Sequence, residues 1–446
     1  MRAYVRSHIV LAGLLSTLAG CGSGTDSGPS SDEGGSNSDS DLDSGLAPSA
    51  DSGLDAGVST SADSGRDAGV STSADSGREA SATPGADTGS GVGADSGVDA
   101  STGVDAGADA SSTSPCDVSP VSPNATQQAK NLLCYLYSIK GNHVLSGQQE
   151  ANWNATPTDI AWYTSNGLKF PAILGSDFLY RGNASCAEVT ASTTRAIAYW
   201  NAGGITMFRY HMGMPGSGLT CTSDCYQGAN CAEPTSVPTA AFFTNVVTPG
   251  TAENTSLNAK LDYVAVQISA MEAAHVPIIL ALFHETQANG WFWWAETASG
   301  PAFINLWKYA FDYLTVTKGL TNIVWLMPFS GSPSVSFYPG KAVVDIGGPD
   351  EYSAPANLLT FSASGNYAPA TAALGTTMPI ALHETGSALQ PESMFPKPTA
   401  PWIMWNVWAT YENTTIGGFN YNTVASMTAA YASQYTITRD LVPDLK

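Results

Sequence analysis

Two stretches decide the fold of this chain: Val276-Pro-Ile-Ile-Leu-Ala-Leu-Phe-His284-Glu285 and Met378-Pro-Ile-Ala-Leu-His383-Glu384. Each is a short apolar run opened by a proline and closed by a His-Glu pair, the pattern of a buried strand with polar residues at its end. A carboxylate at the end of a buried strand is costly to desolvate, so two of them about a hundred residues apart read as placed acids. Paired acids of this kind are the chemistry of glycoside cleavage.

Further runs of the same kind lie on either side. Apolar strand candidates fall at 143–147, 171–177, 203–209, 276–284, 321–328, 342–347, 378–383 and 401–406. Helix-like segments separate most of them, at 157–166, 189–201, 255–274, 300–317, near 336, at 353–373 and at 423–434. Eight strands alternating with helices predict an α/β chain folded as a (β/α)8 barrel, with the site at the C-terminal ends of the strands. On this count Glu285 ends strand four and Glu384 ends strand seven.

The N-terminus is of another kind. Arg2 and Arg6 precede an apolar core from Ile9 to Leu18, and Leu18-Ala19-Gly20-Cys21 completes a lipobox. Residues 1–20 therefore read as a lipoprotein signal peptide and Cys21 as the lipidated residue. From 21 to 115 the chain is rich in Ser, Gly, Ala and Asp, and the unit Asp-Ala-Gly-Val-Ser-Thr-Ser-Ala-Asp-Ser-Gly-Arg at 67–78 is preceded by a matching unit that begins at Asp55. Such a composition builds no core and reads as a disordered tether. Seventeen acids between 22 and 115 stand against Arg66 and Arg78, so the tether carries −15 of the chain's −21. The acidity belongs to the tether, and nothing in the charge pattern points to nucleic acid. The expected location is the cell envelope, with the membrane reached through the lipid anchor alone.

Residues 116–446 are then one catalytic domain, expected as a monomer. With Cys21 set aside, Cys116, Cys134, Cys186, Cys221, Cys225 and Cys231 remain, an even count that favours three disulfides in an exported protein. Cys116 with Cys134 would clip the N-terminal segment to the first helix, and the pairing of the other four stays open.

Beyond Glu285 comes the aromatic cluster Trp291-Phe292-Trp293-Trp294. With this cluster, and with His383-Glu384-Thr385-Gly386, the chain resembles glycoside hydrolase family 26, the β-mannanase family, whose motifs are H-E-x-x-G-x-W-F-W-W and T-E-x-G. The resemblance extends to Tyr338-Pro339-Gly340, to Asp350-Glu351-Tyr352 and to His211-Met212-Gly213-Met214-Pro215, covering roughly 140 to 410. It implies that Glu285 is the general acid/base and Glu384 the nucleophile, and that β-linkages are cut with retention of configuration. Substrate contacts are expected from His211, His284, Trp291, Trp294, Asp350, Tyr352 and Trp405, with Tyr352 also bonded to the nucleophile and His284 and His383 orienting the carboxylates. No cofactor is expected. A metal held by His211, His284, His383 and the glutamates is disfavoured, because neighbouring strand residues point to opposite faces.

Three positions depart from the family pattern. Ala281 stands where an arginine is usual, which predicts the loss of an active-site salt bridge. The aromatic cluster lies one residue further from Glu285 than usual, and Tyr210 replaces a tryptophan. The substrate class implied is a polysaccharide, foremost 1,4-β-mannan, with β-1,3-xylan or mixed-linkage β-glucan as alternatives. A surface lipoprotein that binds glycans without turnover is the reading from a different class.

Overall fold

The computed structural model describes residues 116–446, except 152–157, 180–186, 217–226, 288–291, 296–298, 332, 353–365, 396–399, 413–414 and 417–418. The expected signal peptide at 1–20, Cys21, the expected tether at 21–115 and Trp291 lie outside the described residues, as do Cys186, Cys221 and Cys225.

Eight parallel strands close into a barrel: β1 (Gly147–Gln149), β2 (Ile173–Asp177), β3 (Ile205–Arg209), β4 (Ile278–Ala281), β5 (Ile323–Phe329), β6 (Ile346–Glu351), β7 (Leu382–Thr385) and β8 (Trp405–Val407). Each strand pairs with its sequence neighbours, and β8 pairs back onto β1 through Val407 and Gln148. Around them run helices α1 (Gln127–Ser138), α2 (Asp159–Ser165), α3 (Ala187–Asn201), α4 (Ala240–Val246), α5 (Ala252–Ala273), α6 (Gly300–Asp312), α7 (Tyr367–Leu374), α8 (Pro391–Met394) and α9 (Val424–Ala432). This is the (β/α)8 barrel that the alternating runs predict.

The local chemistry explains where the elements begin. Helices α4, α5, α6 and α9 start behind Thr239, Thr251, Ser299 and Thr423, each of whose hydroxyls accepts a first-turn backbone N–H. Helix α6 runs on into a π-helical turn, Tyr313–Thr317, which accounts for the long segment expected at 300–317. Strand interiors are apolar and fully buried, as in β4 and β5. The barrel is narrow at the β1–β2 seam. A Cβ on Gly175 would come within 2.5 Å of Gln149 Oε1 and 2.9 Å of Asn406 Nδ2, so glycine there lets two amides fill the interior.

A disulfide joins Cys116 to Cys134 of α1 as expected, and Cys231 is also disulfide-bonded. The clipped segment is held from below by Asp345, whose two oxygens accept the backbone N–H groups of Val121 and Trp325, each at 2.8 Å. Burial raises the Asp345 pKa to about 7, against the pull of those two bonds.

The strands do not sit where the apolar runs alone put them. The first, sixth, seventh and eighth begin about four residues later than expected, because most of each apolar run lies ahead of the barrel ladder; Val144 and Leu145 pair instead with Thr436 and Ile437 outside the barrel. The fourth ends early, at Ala281, so Glu285 lies beyond the strand and does not end it.

Candidate active site

Strand β7 brings Glu384 into the barrel mouth, fully buried and in register with Asp350 of β6. Two groups donate to its carboxylate. Tyr352, just past β6, gives its hydroxyl to Oε1 at 2.6 Å, the bond that the resemblance implies. Arg209, the last residue of β3, gives Nη1 to Oε2, while its Nη2 donates to the His383 carbonyl at 3.0 Å. An arginine and a phenol on one carboxylate favour it as the anion and fix its direction.

Arg209 corrects an expectation. With Ala281 in the usual arginine position, the salt bridge was expected to be lost. Register pairs Arg209 of β3 with Ala281 of β4, and both are fully buried. The charge reaches the carboxylate from the adjacent strand.

Glu285 arrives by a different route. After Ala281 the backbone leaves the ladder, with Phe283 at φ +55° and Glu285 at φ +50°, and it meets β5 again at the bridge between Thr286 and Phe329. Two non-glycine residues in the left-handed region are costly and mark a turn that its surroundings hold in place. Those surroundings are the aromatic cluster. The Trp294 indole donates to the His284 carbonyl at 2.8 Å, the Trp293 indole donates to the Met212 carbonyl at 2.9 Å, and Phe292 stacks on Trp294 at 4.6 Å. All three rings are fully buried, so Trp294, expected to meet sugar, forms the floor of the turn instead.

The same break takes His284 and Glu285 out of the strand, so strand alternation does not set their directions. His284 Nε2 lies 3.0 Å from His211 Nε2, and His211 Nδ1 lies 2.5 Å from Asp177 Oδ2 at the end of β2. Both ring nitrogens of His211 thus meet protein groups, and the residue is only 2% exposed. Burial, helped by His211 and Arg209, holds the His284 pKa well below the usual histidine value. His383 is pushed down to about 3 by burial and then by Arg209. Both imidazoles are therefore neutral near pH 7. Among the described residues, no three His, Cys, Asp or Glu side chains are grouped to hold a metal ion.

Glu285 is 1% exposed. Burial, then the neighbouring Tyr411 and then the charges of Glu285 and Asp350, raise the Tyr352 hydroxyl pKa well above its ordinary value. The two carboxylates thus share one small buried neighbourhood, joined through the phenol that bonds to Glu384. Asp350 accepts the Gly331 N–H at 2.6 Å.

Trp405 was expected to form the sugar platform. It faces outward from β8 and meets Tyr431 of α9 edge to face at 6.1 Å. Trp408, three residues on, stands at the site. Its ring lies 5.0 Å from the Arg209 guanidinium and 5.9 Å from His211. Strand alternation explains the difference, since Asn406 points inward and its neighbours Trp405 and Val407 do not.

At the rim, three buried acids tie β1 to the segment after β8. Asp159 accepts from Ala151 N at 2.7 Å and Thr410 N at 2.6 Å, and Glu150 accepts from Asp159 N at 3.3 Å and Ile160 N at 3.0 Å. Glu412 bonds to Asp159, and burial followed by the Asp159 charge raises its pKa. Arg209, Asp177 and this rim cluster were not expected from the sequence, which favours Trp405 as the platform but leaves the cleft-facing tryptophan open among Trp402, Trp405 and Trp408. The readable signal for Arg209 was a charged residue closing an apolar run, the same signal that found the glutamates.

A closed parallel barrel with two buried glutamates after its fourth strand and on its seventh defines the class of two-carboxylate (β/α)8 barrels. The chain belongs to glycosyl hydrolase family 26, whose family model matches residues 121–441. It is 28% identical over 327 residues to a mannan endo-1,4-β-mannosidase of Thermothelomyces thermophilus, covering 72% of this chain and 62% of that protein. It is also 28% identical to a mannan endo-1,4-β-mannosidase of Bacillus subtilis, covering 54% of this chain and 69% of that one. Among solved structures it is similar to the GH26-CBM35 β-(1,4)-mannanase of Podospora anserina, at 30% identity and a TM-score of 0.59, covering 74% of this chain and 70% of that one. GH26A from a Muricauda species matches at 27% identity and a TM-score of 0.58, covering 72% and 98%. The chain thus spans less than two thirds of the length of the Thermothelomyces thermophilus relative.

Proposed function

We propose that this chain is a retaining endo-acting glycoside hydrolase that cuts internal linkages of 1,4-β-mannan. One observation carries the reading: the buried Glu384 is held by Arg209 and by Tyr352, whose hydroxyl also feels the charge of the buried Glu285. In the first step Glu384 attacks C1 of the sugar as Glu285 gives its proton to the departing glycosidic oxygen. In the second, Glu285 takes a proton from water as that water's oxygen displaces Glu384 from C1. A nucleophile already held by two donors needs little reorganisation, which lowers the barrier of the first step.

Mannan is favoured because the relatives described above bear that substrate in their names. The lipobox and acidic repeat support a lipoprotein held at the cell envelope, acting on polysaccharide. The test is digestion of a panel of mannans, β-1,3-xylan and mixed-linkage glucan, with the anomeric proton of the first product followed by NMR. Fastest cleavage of mannan with the β-anomer formed first supports the proposal. Faster cleavage of xylan or glucan would move the substrate, and first release of the α-anomer would overturn retention. Binding without cleavage of any of them would favour the glycan-binding lipoprotein.

A further inference from the structure

Three buried side chains beside the catalytic pair form a line. Asp177 ends β2, His211 follows β3, and His284 directly precedes Glu285. None is more than 2% exposed. Asp177 acts as an acceptor on both sides: Oδ1 takes the backbone N–H groups of Leu179 at 2.7 Å and His211 at 3.2 Å, and Oδ2 faces His211 Nδ1 at 2.5 Å.

That arrangement dictates where the protons lie. His211 must carry one on Nδ1, since the carboxylate can only accept. Between His211 Nε2 and His284 Nε2, 3.0 Å apart, there is room for one more. If His211 supplied it, a neutral His284 would carry its own proton on Nδ1, where it meets no acceptor among the described residues. If His284 supplies it, Nδ1 is a bare lone pair. A buried acceptor without a partner is tolerated better than a buried donor without one. A doubly protonated His284 is ruled out by its burial and by the adjacent His211 and Arg209.

We propose that Asp177 is a positioning residue for the acid/base: it imposes one proton order, His211 on Nδ1 and His284 on Nε2, and through it pins the turn that carries Glu285. The His284 ring is held at Nε2 by His211, and its backbone carbonyl by the Trp294 indole. Both ends of the residue before Glu285 are thereby fixed, which is how a left-handed pair at 283 and 285 stays in place. The link to Glu285 rests on the glycosidase reading, while the proton order does not.

Asp177→Asn is the discriminating change, because it keeps shape and removes charge. If the asparagine oxygen stays on the two backbone N–H groups, its NH2 faces His211 Nδ1, which must then accept. The His211 proton moves to Nε2, and the His284 proton moves to Nδ1, with no change in proton count. In the full chain labelled with 15N-histidine, which has six histidines, ring-nitrogen NMR should find the proposed order in the wild type and the inverted order in the variant. The variant's kcat on β-glycan should fall roughly ten- to a hundredfold, the range for losing a partner that orients a functional histidine, with KM little changed. Wild-type spectra with His284 protonated on Nδ1 would overturn the proposal even if the variant did not fold. Inverted tautomers with an unchanged kcat would overturn the positioning role. The spectra decide the proton order whether or not any β-glycan is cut, so the two readings can fail separately.

Discussion

Arg209 of β3 lies in register with Ala281 of β4 on adjacent barrel strands, and its guanidinium bonds to Glu384 of β7. The pair is one functional position shared between two strands. Arg209→Ala should lower kcat about 10²- to 10³-fold, as expected when a preorganised donor to the reacting group is lost. It should also destabilise the fold by about 3–5 kcal/mol, since a buried carboxylate loses its counter-charge. Adding Ala281→Arg to that variant should recover part of the activity, because the new side chain starts from the same level of the barrel. A double variant no better than the single one would mean that the strand of origin matters and the shared position does not exist.

Glu384→Ala removes the group that Arg209 and Tyr352 orient. Turnover should be abolished while oligosaccharide binding stays within a few-fold, and a fluorinated glycoside should label Glu384 alone in the wild-type chain. Appreciable residual turnover in the variant, measured by release of reducing ends, would remove the nucleophile role.

Glu285→Ala separates the acid from the nucleophile. Polysaccharide, whose leaving group needs a proton, should be cut several orders of magnitude more slowly. Activated aryl glycosides should keep the first step, and azide should restore part of the second. The comparison of kcat/KM on the two substrate types decides it, since equal losses on both would contradict an acid/base role.

How much of this was legible depends on where the apolar residues end. All eight strands announce themselves through apolar runs, but for β1, β6, β7 and β8 most of the run precedes the ladder. Their ladders carry Gln148, Gln149, Asp350, Glu351, His383, Glu384 and Asn406, polar residues that give no hydrophobic signal. The acids themselves were readable as polar residues that apolar strands do not need. The turn at Glu285 was not, because nothing in Leu-Phe-His-Glu signals two left-handed residues, and without that turn the contact between His284 and His211 cannot be foreseen. The choice of Trp408 over Trp405 required knowing which face Asn406 takes.

The rim acids give the fold a pH dependence. Burial, with the charge of Asp159, raises the Glu150 pKa to about 7, and Glu412 is raised as well. An acid whose folded pKa lies above its unfolded value binds more protons folded than unfolded, so its protonated form supports the fold at low pH. That support fades as pH rises from about 4.5 through 7. Melting temperature should therefore fall across this window, and Glu412→Gln, which keeps the shape without the charge, should flatten the fall. A Glu412→Gln profile parallel to the wild type between pH 5 and 8 would place the pH dependence elsewhere.

The lipobox ending at Cys21 and the acidic repeat behind it lead to a prediction about reach. Cys21→Ser should release the chain into soluble fractions with unchanged specific activity. By random-coil scaling, a flexible tether of this length extends on the order of 50 to 60 Å on average, and more where its aspartates repel. That is enough to clear a lipid surface and meet a bulky polymer. A tether that makes no packed contact with the barrel contributes nothing to its stability, so deleting most of 30–110 should leave the melting temperature and the activity on soluble oligosaccharide unchanged. A shift in either would mean that the segment packs on the catalytic domain. Loss of activity restricted to insoluble or surface-presented polysaccharide is the expected cost of a shorter leash, because only there does the distance from the membrane limit the encounter.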